Sequence, residues 1–123
     1  MKVLLVAVIG LFSFSTSAQN GETLYQHKCS ACHMGNGMGI PGAFPNLKDS
    51  QFVALENDQL IATIMDGRGG MPTFKNELSD QDFVDVISYI KSAWGPQGEP
   101  VSTEQVATIR KHGATHTALA RQE

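Results

Sequence analysis

Both cysteines of this 123-residue chain stand in one short run, Cys29-Ser30-Ala31-Cys32-His33, with an imidazole directly after the second thiol. Any fold has to be built around that arrangement. Four segments carry apolar residues at helical spacing, and glycine-rich loops separate them: "GNGMGIPGAFPNL" over 35–47 and "GRGGMPTF" over 67–74. Ordering the backbone costs about 1–2 kcal/mol per residue. Short helices joined by such loops bury a modest apolar surface against that cost. Loops of this kind are hard to fix unless something sits inside them.

The cysteine spacing identifies what that is. C-x-x-C-H is a signature of covalent haem attachment. Two thiols three positions apart on a helical turn reach the two vinyl groups of one porphyrin as thioethers. The next residue then lies over the ring centre, where a histidine nitrogen can bind iron. Here those residues are Cys29, Cys32 and His33. A Cys29–Cys32 disulfide leaves His33 unexplained. A thioredoxin-type pair wants a βαβ context, and none is visible. A zinc site drawing on His27 or His112 lacks the second downstream pair such sites usually show. One haem c, covalent through Cys29 and Cys32, accounts for all three residues.

Residues 1–18, "MKVLLVAVIGLFSFSTSA", have a basic start at Lys2, an apolar run from Val3 to Phe12, and Thr16 and Ala18 at the −3 and −1 places of a cleavage site. That is the layout of a secretory signal peptide. The run is about half the roughly 20 residues a spanning helix needs. Cleavage after Ala18 leaves eight basic and twelve acidic side chains, a net charge of −4, which gives a nucleic-acid role no electrostatic footing. No later segment is apolar enough to span a bilayer, so the mature protein is expected to be periplasmic and soluble. The expected organisation is a signal peptide over 1–18, one domain over 19–95, and an extension over 96–123 with a short helix and a frayed tail.

The spacing predicts helices over 21–32, 58–66, 80–93 and 103–111. Leu60, Ile61, Ile64 and Met65 form the apolar face of the second, with Asn57 or Asp58 as its cap. The third has Ser79 as N-cap, Asp82 close to a capping box, and the stripe Phe83, Val86, Ile87 and Ile90; Gly95-Pro96 stops it. Ser102 caps the last, with Gln105 completing a box and Val106, Ala107 and Ile109 as its apolar residues. No stretch alternates as a strand does, so the fold class is all-α.

An electron carrier needs a second axial ligand, and methionine opposite histidine raises the potential. Met34 and Met38 are too near His33 to cross to the far face easily. Met65 sits on an apolar helix face, where methionine packs the core. Met71 lies 38 residues beyond His33 in a loop whose glycines let backbone approach a flat ring and whose Pro72 stiffens it. Met71 is the expected thioether ligand.

The sequence at this point resembles the class I, Met/His-ligated monohaem cytochromes c of the small bacterial type, up to about Gly95. The shared marks are C-x-x-C-H, the methionine-proline loop and the "DVISYIK" helix. The resemblance implies a cytochrome c fold of about four to five short helices wrapped around a covalent haem. It implies that Gly21 and Tyr25 pack against Val86 and Tyr89. It places the proline whose carbonyl holds the ligand histidine at Pro45, with Pro41 as the alternative register. The lysine patch such proteins carry is thin here: Lys28, Arg68 and Lys75 are the candidates. Glu77, Asp80, Asp82 and Asp85 crowd the next helix start, where they favour its positive end.

The expected function is one-electron transfer between transient redox partners by a monomer that is not an enzyme. The alternative is a haem subunit of a larger dehydrogenase or oxidase complex, docked through the 101–111 helix. A catalytic haem protein would need Met71 displaceable and a distal base, with His27, His112 and His116 the only spare histidines.

Overall fold

The computed structural model describes residues 17–48, 50–96 and 98–114. Among them are five helices and no strand: α1 Ser17–Lys28, α2 Ser30–His33, α3 Asn57–Asp66, α4 Asp80–Trp94 and α5 Thr103–His112. Most of the expected signal peptide, the tail and His116 lie outside the described residues.

α4 is the spine of the fold. The Ser79 hydroxyl accepts from Asp82 N while the Asp82 carboxylate accepts from Ser79 N, closing the expected capping box. Phe83, Val86, Ile87 and Ile90 are all buried, each contributing about 1.5–3 kcal/mol as its apolar surface leaves water. α1 packs on α4 where Gly21 stands. A Cβ there would overlap the Asp85 carbonyl and lie 2.9 Å from Tyr89 Cβ. Glycine is what lets the two backbones approach. One turn on, Tyr25 is fully buried and its ring centroid lies 5.5 Å from that of Tyr89. The Gly21–Tyr25 and Val86–Tyr89 packing is thus carried mainly by the Asp85 backbone and the tyrosine rings.

Two expectations change. The helix expected over 21–32 starts earlier, at Ser17, and breaks at Cys29, whose φ of −120° lies outside the helical range. Asn57 and Asp58 do not cap α3: Glu56 is the N-cap and no side-chain bond closes it. Both are buried with other partners instead. Asn57 Nδ2 donates to Glu99 O at 2.9 Å, Lys91 Nζ donates to Asn57 Oδ1 at 2.6 Å, and Gln105 Nε2 donates to Asp58 Oδ1. Gln105 therefore completes no capping box, although Ser102 does accept from its backbone N–H.

These bonds bind the extension to the body. Val101, Val106 and Ile109 are buried in the same core as Leu60, Ile61, Ile64 and Met65. α5 packs on both α3 and α4. Its apolar face is spent inside the molecule, which leaves only its polar face for docking. Among the described residues no helix is long and apolar enough to cross a membrane.

Candidate haem site

The C-x-x-C-H run straddles the α1–α2 break. Backbone bonds continue through it: Cys29 N donates to Tyr25 O and His33 N to Cys29 O, each at 2.9 Å. The three side chains therefore issue from one turn. Cys29 and Cys32 are free thiols, and both are half-buried. Burial, and then the neighbouring Cys32, push the Cys29 thiol up to about 11, so it stays protonated at neutral pH. Tyr25 beneath them is also raised, by burial and then by Cys29 and Tyr89. Its protonated hydroxyl donates to Met34 O at 2.7 Å, holding the residue after His33.

His33 Nδ1 lies 3.0 Å from Pro45 O. A carbonyl only accepts, so Nδ1 carries a hydrogen, and in the neutral ring Nε2 is the nitrogen with the free lone pair. The loop that brings Pro45 there folds back on itself: Gly39 N donates to His33 O at 2.9 Å and Leu47 N to Gly37 O at 2.7 Å. Gly39 sits at φ +62°, and a Cβ on it would overlap the Phe44 and Pro45 carbonyls. Only glycine fits that approach. Pro41, the alternative register, lies in the turn between Ile40 and Phe44.

Met71 lies in the connection between α3 and α4. Its backbone N–H donates to Arg68 O at 2.9 Å, and its half-buried side chain packs against the apolar core. Met65 is fully buried, as core packing requires. Thr73 Oγ1 donates to Met65 O at 2.5 Å, and Phe74 N and Lys75 N bond to Ile64 O and Met65 O at 3.2 and 3.1 Å. The methionine loop is thereby pinned to the end of α3.

The donor set and its surroundings fit a haem. Two thiols and an imidazole with a free nitrogen issue from one turn. The large hydrophobics left exposed among the described residues are Met34, Met38, Ile40 and Phe44, all on the loop following that turn. Apolar side chains facing outward beside such donors are what a flat apolar ring requires. The zinc alternative finds no comparable setting: among the described residues no group of three or more His, Cys, Asp or Glu is placed to hold a metal ion.

The sequence matches the family described as cytochrome c oxidase, cbb3-type, subunit III over residues 16–90. This chain belongs to the c-type cytochromes. Membership implies a covalently bound haem c. The cytochrome c subunit of a quinone alcohol dehydrogenase from Gluconobacter oxydans is 31% identical over 107 residues, covering 76% of this cytochrome. This cytochrome spans only 22% of that subunit's length. Cytochrome c-552 of Thermus thermophilus is 29% identical, with 89% of this chain and 87% of that protein covered. Among solved structures, cytochrome c6 from the diatom Phaeodactylum tricornutum has the same fold, with a TM-score of 0.52 at 24% identity, covering 62% of this chain and 93% of that one. Cytochrome cL from Hyphomicrobium denitrificans also gives 0.52, at 22% identity, covering 81% and 69%.

Two of the three cationic candidates near the site have side-chain partners. Lys28 pairs with Glu77 at 3.0 Å, and the Arg68 guanidinium stands 4.4 Å over the Phe52 ring. The acids expected to serve the α4 dipole do more specific things. Asp82 closes the capping box, Asp80 pairs with Arg110, and buried Asp85 accepts from Gln81 at 2.8 Å. Three residues around the site were not foreseen. Thr73 anchors the methionine loop. Trp94 packs with its ring centroid 5.0 Å from that of Tyr25, tilted by 59°, and lies against Gly37; being the chain's one tryptophan was its only signal. Arg110 reaches back across 30 residues to Asp80.

Proposed function

We propose that this cytochrome is a one-electron carrier of the periplasm, exported by a cleaved signal peptide over 1–18. In this reading 19–95 is the haem domain and 96–123 its extension. Cys29 and Cys32 would hold one haem c through thioethers, and His33 and Met71 would supply the two protein ligands of its iron. The observation that carries the reading is the 3.0 Å approach of His33 Nδ1 to Pro45 O. That bond orients the imidazole, leaves Nε2 for the metal and raises its basicity. Bound haem c supplies a one-electron ferric/ferrous couple. The chain's part is to keep everything else constant. The thioethers prevent dissociation, Pro45 fixes the ring of His33, Met71 tunes the potential upward, and Met34, Met38, Ile40 and Phe44 exclude water. With His33 and Met71 both committed to the iron no place would be left for a substrate, so the protein would move electrons and make no bonds. Its partners are redox proteins met in small, transient encounters, and it works as a monomer.

A second reading is favoured by the dehydrogenase relative: this cytochrome acts as the electron-transfer unit of a larger complex. The near-complete coverage of cytochrome c-552 supports the free carrier instead. Size-exclusion chromatography of native extract separates the two, since a carrier elutes as a monomer at every salt concentration. For the carrier itself, the oxidised exported protein should show the far-red absorbance band of methionine–iron bonding and titrate as a reversible one-electron couple. Met38→Leu should leave that band in place. A wild-type protein without the band overturns the ligand set.

A further inference from the structure

We infer that Arg110, on the C-terminal helix, is a positioning residue for the methionine loop, and that through it the extension controls how firmly Met71 stays on its metal. The inference rests on the reading of Met71 as a ligand. Arg110 spends its whole guanidinium on one segment. Nε donates to Asp80 Oδ1 at 2.8 Å, Nη2 to Leu78 O at 3.0 Å, and Nη1 to Lys75 O. Its Cζ also stands 5.3 Å over the Phe83 ring. All four partners lie between 75 and 83, directly after Met71-Pro72-Thr73.

The same side of the loop is also tied to the end of α3, through Thr73, Phe74 and Lys75. α5 is itself fixed to the start of α3 through Gln105 and Asp58, and to the core through Val106 and Ile109. One helix therefore spans the element that opens the loop and the element that closes it. A thioether is a neutral, weak ligand, and its bond to iron lasts only if the loop has no cheaper place to go. The fork of an arginine meets three acceptors at once, and a lysine ammonium in its place meets them as a point charge. The pair is partly shielded, with Arg110 27% and Asp80 35% exposed, so it is not a freely solvated surface bridge.

If Arg110 only added stability, ligand lability would follow the stability of the whole protein. The experiment compares ferric holoproteins of wild type, Arg110→Gln, Arg110→Lys and Val53→Ala. Val53 is buried beside Gly95, the C-cap of α4, at the opposite end of that helix from Asp80. The readouts are the far-red band, the rate of cyanide binding and the denaturant midpoint. Arg110→Gln should bind cyanide roughly tenfold faster or more, with Arg110→Lys intermediate. Val53→Ala should lower the midpoint and bind cyanide at the wild-type rate. Equal rates for wild type and Arg110→Gln, or an equal acceleration in Val53→Ala, would overturn the inference. If Arg110→Gln gives no holoprotein, Arg110→Lys and Asp80→Asn decide by the same rule. A wild type without the far-red band overturns the Met71 reading and this inference together. A wild-type band with unchanged cyanide rates in the Arg110 variants overturns the positioning role alone.

Discussion

The loop that follows the proposed ligand His33 and the loop that carries the proposed ligand Met71 are built in opposite ways. The histidine-side loop, 34–47, is tied largely to itself through Gly39 to His33, Ile40 to Phe44 and Leu47 to Gly37, with Tyr25 holding Met34 from below. It turns Met34, Met38, Ile40 and Phe44 outward. The methionine-side loop, 67–79, makes internal turns at Arg68–Met71 and Phe74–Leu78 and is held in addition by other elements: α3 carbonyls, Lys28 and Arg110. It buries Phe74 and Leu78. A strong ligand thus comes from a short self-sufficient segment, and a weak ligand depends on the whole fold. Damage to the first should abolish the holoprotein, whereas damage to the second should change its properties and leave it intact.

The largest expected effect is on the histidine side. His33→Ala should cut the yield of holoprotein at least about tenfold, measured as covalent haem per polypeptide on a stained gel. Normal yield with a normal spectrum would break the comparison at its root. Met71→Ala should keep covalent haem but lower the reduction potential by on the order of a tenth of a volt, within the ~0.8 V that axial ligands command, and admit cyanide or CO. A redox titration checks the shift. Gly39→Ala should destabilise the holoprotein by about 1–3 kcal/mol from backbone strain alone, read from guanidinium unfolding. An unchanged midpoint would mean that the loop tolerates a side chain where its carbonyls converge. Lys28→Gln should be the mildest. Its bridge to Glu77 is 41% and 52% exposed, worth less than about 1 kcal/mol, and the effect should vanish at high salt.

The same contrast explains what could be read in advance. The C-x-x-C-H turn, the Ser79–Asp82 box and the Phe83–Ile90 stripe each lie within one segment, and the structure holds all three. Chemistry confined to one turn or one periodicity is legible in residue types. Asn57 and Asp58 misled for the same reason. Their types say cap, but burial under α5 turns them to Glu99, Lys91 and Gln105. Arg110 was invisible because two of its acceptors, Lys75 O and Leu78 O, are backbone carbonyls that any residue supplies. The break at Cys29 had no signal either, since no proline or glycine marks it.

All of this presupposes a porphyrin fastened to Cys29 and Cys32. Intact-mass measurement of the exported protein tests that directly. The predicted result is the mass of the chain from Gln19 plus one haem, with the increment lost when both cysteines are replaced by serine. A mass equal to the polypeptide alone, from cells competent to mature other c-type cytochromes, would contradict the account.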